Sequence, residues 1–185
     1  MNKSFHSRRG FTLIEVLVVV AIIGILSAAG VSSLNDAVAN SRLKDAIINT
    51  RAFAEVMSSE AKRLNDSLCI KFEAKTMTAY KYKADACGDS AIDSRSLEGQ
   101  ITFQGTAPSN AAAQESFIGT PSVWSASGSY FILAPQQGVS SVVGEGIIGL
   151  RYGNSKRYGA VLKTGKKNHL QAFFSVDGGS SWITP

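Results

Sequence analysis

The chain has 185 residues, of which 44% are hydrophobic and 18% are charged, a composition typical of one folded domain with an additional segment. Its formal charge is +5, but without the first ten residues 16 Lys and Arg stand against 14 Asp and Glu, which leaves +2. The overall charge therefore gives little support to nucleic-acid binding. With two histidines and two cysteines, the chain has too few ligands for a zinc site of the Cys/His type.

Helix-breaking residues are distributed unevenly along the chain. All four prolines and 14 of the 17 glycines lie beyond residue 66. This asymmetry predicts one long helix from Phe11 to about Asn65, followed by a turn-rich, β-rich head over residues 67–185.

The first part of this helix is strongly apolar. Lys3, Arg8 and Arg9 precede it, and the twenty residues from Val16 to Asn35 include no charged side chain, which is the length needed to cross a bilayer. We therefore expect residues 11–35 to span a membrane, with the basic cluster in the cytoplasm and the head outside it. A secretory signal peptide cleaved near residues 28–30 is the alternative, but its apolar core would be shorter and would carry no acid such as Glu15.

Residues 10–15, Gly-Phe-Thr-Leu-Ile-Glu, followed by an apolar run, resemble the prepilin cleavage and methylation motif of type IV pilins and type II secretion pseudopilins. The resemblance implies that a prepilin peptidase removes the leader, residues 1–10, by cutting after Gly10, and that Phe11 is then N-methylated. It also implies that Glu15 aligns each incoming subunit with the amino terminus of a neighbour. One departure is Ser32, where many members of the family have proline.

The resemblance implies a structural subunit and not an enzyme, without a cofactor. Its expected partners are other pilin or pseudopilin subunits, the prepilin peptidase and the pilus assembly platform. The expected location is the bacterial inner membrane, crossed once with the head in the periplasm, and then a fibre. A type IV pilus, a type II secretion pseudopilus and a competence pilus stay open as the machine, as does the subunit's position in the fibre.

The second part of the helix, residues 36–66, is amphipathic. Apolar or small residues recur at alternating spacings of four and three, which predicts one buried stripe packed on a sheet. A coiled coil is the alternative use of this spacing, but only three heptads are present. The stripe consists of Leu43, Ile47, Thr50, Ala54, Met57, Ala61 and Leu64.

Beyond residue 67 the hydrophobic period changes to two, which predicts antiparallel strands and an α+β fold. Hairpin turns are predicted at 74–76, 153–155, 164–166 and 177–179. Residues 106–129 are rich in small and polar residues, which indicates a long surface loop. The predicted strands are 68–72, 77–82, 101–103, 130–133, 146–152, 158–162 and 170–176.

Cys69 and Cys87 are separated by 17 residues and should face an oxidising compartment, so a disulfide between them is expected. Two free thiols are the alternative. Major pilins typically close a disulfide loop near the carboxyl end, whereas this pair directly follows the helix. Together with the β-rich tail, that position resembles the GspH/FimT-like group of minor pilins and pseudopilins.

The residue inventory argues against an enzyme. His169 is the sole histidine outside the leader, and no motif marks a serine or cysteine nucleophile. The segment Asp177-Gly178-Gly179 has too few acids around it for a calcium loop, so a hairpin turn is the preferred interpretation and no metal site is predicted.

A second function is suggested by the basic end of the head, because no acid lies between Gly146 and Val176. Tyr152 and Tyr158 alternate with the basic residues, and a basic edge of this kind would contact DNA phosphates. Some minor pilins of the FimT kind capture DNA for natural transformation. A solvated, solubilising surface is the alternative. The candidate contacts are Arg151, Lys156, Arg157, Lys163, Lys166 and Lys167.

Cleavage is predicted between Gly10 and Phe11. Intact-mass measurement of protein from a host with prepilin peptidase should show the loss of residues 1–10 and the gain of one methyl group. Gly10→Val should block processing, because a branched side chain does not fit where the family requires glycine. A mature chain starting at Gly30 or Val31 would establish the secretory signal instead.

Overall fold

The computed structural model of the protein describes residues 11–84, 86–103, 123–125, 130–135, 138–142, 146–164 and 169–185. Within these ranges the side chains of residues 28, 29, 32, 123–125, 138–142, 146–147, 162–164 and 169 are not described. The chain divides into two compact units, Met1–Val38 and Ala39–Pro185.

A single helix, α1, extends over Leu13–Leu64. Thr12 caps its start, because the Thr12 hydroxyl accepts a 3.3 Å hydrogen bond from the backbone N–H of Glu15. At its end Asn65 adopts a left-handed conformation with φ of 49°. The backbone N–H groups of Asn65 and Asp66 then donate to the carbonyls of Lys62 and Ala61, which is a Schellman motif.

In the ranges that the structure describes, ten strands follow the helix and form two sheets. The first sheet has the order β3-β2-β1-β6-β7, and the second has the order β10-β9-β8-β4, with β5 also paired to β8. All neighbours are antiparallel except β5 and β8, which are parallel. The strands are β1 (Leu68–Phe72), β2 (Thr76–Lys83), β3 (Ala86–Ser96), β4 (Ile101–Phe103), β5 (Val123–Ser125), β6 (Tyr130–Ala134), β7 (Gly138–Val142), β8 (Gly146–Tyr152), β9 (Tyr158–Thr164) and β10 (His169–Ser175).

The predicted α+β architecture is confirmed: the second part of α1 shares one hydrophobic core with strands of both sheets. The helical stripe from Leu43 to Ala61 is buried as its spacing predicted, whereas Leu64 at the end of the helix is 37% exposed. Phe72 of the first sheet joins the two sheets, because its ring contacts Phe103 of β4 edge-on at 5.1 Å between ring centroids.

The approach of α1 to the second sheet requires a glycine. Gly159 of β9 lies so close to Ile47 that a Cβ atom built on the glycine would be 2.5 Å from Cγ1 and 2.6 Å from Cδ1 of the isoleucine. Both residues are buried, so neither has open space to move into. Gly159 therefore sets the distance between helix and sheet.

Two polar contacts lie on the same helical face as Ile47. The Nε–H group of Arg157 donates a 2.7 Å hydrogen bond to Oδ1 of Asn40, and Nζ of Lys44 lies 4.2 Å from the centre of the Phe174 ring. Residues 40, 44 and 47 follow one another at helical spacing. We call these three contacts the seam, which attaches the first turns of the helix in the head to β9, β10 and the turn before β9.

Three strands differ from the sequence prediction. Strands β3 and β7 were not predicted, and β5 lies inside residues 106–129, so the loop prediction is wrong at 123–125; residues 104–122 and 126–129 lie outside the described residues. Strand β3 is an edge strand in which every residue is partly or fully exposed, and its register with β2 is irregular. The apolar alternation that marks a strand in sequence is therefore missing from it.

The predicted turns between β1 and β2, between β8 and β9, and after β10 are confirmed. Glu73 and Thr76 exchange two backbone hydrogen bonds around the first turn, and Gly153 adopts φ of 52° in the second. The turn predicted at 164–166 lies largely outside the described residues.

The part of α1 that belongs to the first compact unit exposes its apolar side chains to solvent. In the described part of the chain, no helix combines the length and the apolar character required to cross a membrane. The membrane-spanning role expected for residues 11–35 stays a prediction.

We predict that Gly159→Ala lowers the free energy of unfolding by about 1–3 kcal/mol, because the added methyl group overpacks the contact with Ile47. Ile47→Val removes Cδ1 and should cost about 0.5–1.5 kcal/mol alone. The double variant should lose less than the sum of the two single losses. Chemical denaturation measures all three, and Gly24→Ala is the control, since nothing lies within 4 Å of its new Cβ. Additive losses would show that the two residues do not interact.

Candidate functional site

The amino-terminal segment presents the residues of the prepilin motif at the start of α1. Gly10 lies outside the described residues, and Phe11 is 80% exposed. The backbone N–H of Glu15 donates to the carbonyl and to the hydroxyl of Thr12, which places Glu15 at the third position of the helix. A negative charge is favourable there, since the helix dipole is positive at this end.

Thr12 is a site residue that the sequence prediction missed. The signal is present in the sequence, because Thr12-Leu13-Ile14-Glu15 has the Thr-x-x-Glu pattern of a capping box. The structure shows the threonine half of that pattern. The cap fixes where the helix begins, and therefore how many residues separate Phe11 from the first helical turn.

The large apolar side chains from Phe11 to Leu34 are exposed at every position where the structure describes them. Each of them from Phe11 to Leu34 shows about half or more of its surface, and they surround the helix. A continuous apolar surface of this size marks a contact with a membrane or with other protein. They are Phe11, Leu13, Ile14, Val16, Leu17, Val18, Val19, Val20, Ile22, Ile23, Ile25, Leu26, Val31 and Leu34.

The expected disulfide is confirmed. Cys69 of β1 is bonded to Cys87 of β3, with 5.9 Å between their Cα atoms, a separation usual for disulfides. The bond joins the two strands that lie on either side of β2. Cys69 is fully buried.

The candidate DNA contacts are separated by the sheet where the structure describes them. Arg151 stands 5.5 Å from the Tyr158 ring, its cross-strand partner, and donates to the carbonyl of Ser155. Arg157 precedes Tyr158 and bonds to Asn40 on the helix side. Arg151 is therefore directed to its own hairpin and Arg157 to the helix, so the two arginines do not form one basic surface.

Of the remaining candidates, Lys156 is exposed between these arginines. The side chain of Lys163 is not among those described, and Lys166 and Lys167 lie outside the described residues. The structure therefore describes half of the basic cluster, and in that half Arg151 contacts its own hairpin and Arg157 contacts the helix.

Asp177 organises the turn that follows β10. Its carboxylate accepts hydrogen bonds from the hydroxyls of Ser181 and Ser175 and from the backbone N–H groups of Ser181 and Ser180. These bonds hold the pKa of the Asp177 carboxyl well below its usual range, the Ser181 hydroxyl having the largest effect. The turn also places Gly178 and Gly179 at φ of 81° and 87°, a region that favours glycine.

The carboxylate of Asp177 is thus occupied by protein donors and not arranged for a cation. Across the described ranges, no three His, Cys, Asp or Glu side chains are grouped as metal ligands would be. The side chain of His169 is not among those described.

Comparison with known proteins bears on the amino-terminal segment. Residues 5–31 match the family model described as the prokaryotic N-terminal methylation motif. This match confirms that the amino-terminal segment resembles the prepilin methylation motif. No curated protein matches the chain.

Among solved structures, the chain is similar to the type IV minor pilin FimU of Pseudomonas aeruginosa strain PAO1. The sequence identity is 8% and the TM-score is 0.38, over 79% of this chain and 90% of the FimU chain. This likeness is too distant to support an argument about function.

We predict that Asp177→Asn destabilises the head near pH 5 and that this difference shrinks as the pH falls below about 4. Because the folded carboxyl has a lowered pKa, its stabilisation is complete above the unfolded pKa near 4 and is lost as the pH falls toward the folded pKa. Chemical denaturation of both proteins between pH 5 and pH 2 measures the difference. A difference that stays constant over this range would show that the carboxylate charge does not stabilise the turn.

Proposed function

We propose that the protein is a structural subunit, a minor pilin or pseudopilin, of a type IV pilus or a type II secretion pseudopilus. In this proposal a prepilin peptidase cuts after Gly10, Phe11 is N-methylated, and the subunit assembles through its amino-terminal helix. The observation that carries the proposal is the methylation motif over residues 5–31, which includes the start of a helix whose apolar side chains are exposed.

In this proposal Glu15 provides the electrostatic interaction that joins one subunit to its neighbour. Cleavage after Gly10 would leave a terminal ammonium group on Phe11, four residues before Glu15, and N-methylation would keep that charge. In an apolar bundle each charge is costly alone. Pairing the Glu15 carboxylate of one subunit with the terminal ammonium of a neighbour at about 4 Å contributes about 4 kcal/mol at an effective dielectric constant near 20.

Before assembly, we propose that residues 11–35 hold the subunit in the bacterial inner membrane with the head in the periplasm, where it meets the pilus assembly platform. Two features of the chain support this orientation. Lys3, Arg8 and Arg9 lie on the amino-terminal side of the apolar run, and the head contains a disulfide, which forms and persists in oxidising compartments.

The proposed role is structural and not enzymatic. Capture of DNA through Arg151, Lys156, Arg157, Lys163, Lys166 and Lys167 is the alternative function, and the described contacts do not favour it. Arg151 is directed to Tyr158 and Ser155 and Arg157 to Asn40, so each has an intramolecular function.

Replacement of Glu15 with Gln or Val is the test of the proposal. Cleavage after Gly10 should continue, because the residues at the scissile bond are unchanged, and membrane association should continue, because a neutral segment is at least as apolar. Incorporation into fibres should fail, since the neighbour's ammonium would have no partner. Fractionation into inner membrane and sheared fibres, with crosslinking to other pilins, measures the outcome.

Glu55→Gln is the matched control. Glu55 lies on the same helix but is exposed in the head and paired with Arg51 at 2.8 Å, an interaction worth little at a surface. This variant should enter fibres like the wild type. Wild-type amounts of Glu15→Val protein in the fibre would refute the proposed role of the carboxylate.

A further inference from the structure

The helix begins shortly after the predicted cleavage point. It extends from Leu13, and Phe11 and Thr12 before it are not helical. The carbonyl of Thr12 accepts hydrogen bonds from the backbone N–H groups of Glu15 and Val16, at 3.1 and 3.3 Å. The hydroxyl of Thr12 accepts from the same N–H group of Glu15 at 3.3 Å. Both contacts identify Thr12 as the N-cap of α1.

The sequence also offers a second place for the helix to start. Glycine is about as favourable as threonine at an N-cap position, and Gly10 stands two residues before Thr12. A helix that started at Gly10 would include residues 11 and 12 in its first turn. Gly10 has no side chain that accepts a hydrogen bond from the first turn, whereas Thr12 has its hydroxyl. That hydroxyl therefore favours the later start, which is the one in the structure.

The choice of start affects the predicted scissile bond, which joins Gly10 to Phe11. The carbonyl of an N-cap residue accepts the first hydrogen bond of its helix. A start at Gly10 would therefore direct the backbone N–H of Ile14 to the carbonyl that a peptidase must attack. A start at Thr12 makes no such demand, and Phe11 is 80% exposed. A peptide bond outside a helix is free to adopt the extended form in which many binding clefts take up peptides.

We propose that Thr12 is a positioning residue for processing. Its hydroxyl keeps the helix from starting at Gly10 and thereby presents the bond between Gly10 and Phe11 to the prepilin peptidase outside the helix. Hydrolysis of that bond consumes one water molecule and leaves a carboxylate on Gly10 and an ammonium group on Phe11. The inference rests on the proposed processing by this peptidase, and it adds a determinant on the carboxyl side of the bond.

The test is cleavage of the full-length precursor in detergent by purified prepilin peptidase, with rates measured over a range of precursor concentrations. Thr12→Val keeps the branched shape of the side chain and removes the acceptor. Its kcat/KM should fall by about two- to thirtyfold, the equilibrium effect of one N-cap. The loss should appear as a higher KM with an unchanged kcat, because only the fraction of precursor with a non-helical scissile bond binds.

Thr12→Ser and Thr12→Asn are the matched rescue variants. Both keep a side-chain acceptor and rank above threonine as N-caps, so both should be cleaved within about threefold of the wild type. A peptidase that recognised the threonine side chain itself would give the opposite order, since valine has the same shape and asparagine does not. That order would overturn the proposal, as would equal kcat/KM values for Thr12→Val and the wild type.

A second measurement observes the scissile bond without the enzyme. Gly10 and Phe11 form the one Gly-Phe pair in the chain, so ¹³C-carbonyl glycine with ¹⁵N-phenylalanine isolates this peptide group in NMR spectra. The Gly10 carbonyl signal should move toward its helical, hydrogen-bonded position in Thr12→Val, and stay near the wild-type position in Thr12→Ser and Thr12→Asn. An unchanged signal in Thr12→Val would refute the role of the cap.

The two measurements separate this inference from the proposed function. If the peptidase does not cleave the wild-type precursor, the proposed processing is wrong and the role of Thr12 in it is wrong as well. If the peptidase cleaves the wild type and Thr12→Val equally well, the processing stands and the role of Thr12 alone is refuted.

Discussion

The head is organised around one buried stripe of the helix. From Ala39 to Ala61 this stripe packs against the inner faces of both sheets, and Phe72 and Phe103 bring those sheets together above it. Neither sheet forms a core alone. The apolar face of each sheet is covered by the helix and by the other sheet, and all three contribute to one core. Removing the helix would therefore expose the apolar side of every central strand at once.

The same helix carries two apolar surfaces with opposite requirements. Side chains from Phe11 to Leu34 surround the helix and are exposed, whereas beyond Ala39 the apolar residues are confined to one face and buried. A helix with one apolar stripe can bury that stripe against a sheet and expose its other side to water. A helix that is apolar all round needs an apolar environment on every side. The boundary between the two surfaces coincides with the division of the chain into its compact units.

Features governed by local periodicity were predicted well from the sequence. The spacing of Leu43, Ile47, Ala54 and Met57 identified the buried stripe, and alternation identified the central strands, since both depend on which face a residue presents. Strand β3 was missed because an exposed edge has little reason to alternate. The low-complexity composition around β5 concealed a strand whose pairing to β8 is distant in sequence.

The candidate sites show the same limit. The motif at residues 10–15 is contiguous, so the sequence displays all of it, including the Thr12 cap. The contact of Arg157 with Asn40 joins residues 117 positions apart, so no local sequence pattern predicts it. In the sequence Arg151 and Arg157 group as one basic cluster, and only the contacts of Arg151 with Tyr158 and of Arg157 with Asn40 separate them.

The seam has a mechanical consequence. A pull along the axis of the helical segment in the head would act first on the contacts of its first turns with the sheets. Those contacts, at Asn40, Lys44 and Ile47, are arrayed along the axis, so an axial force loads them in shear and distributes itself over all three. A force perpendicular to the axis would instead open them one after another, beginning with the arginine. We therefore expect the contacts between helix and sheet to resist a force along the helix axis better than a force perpendicular to it.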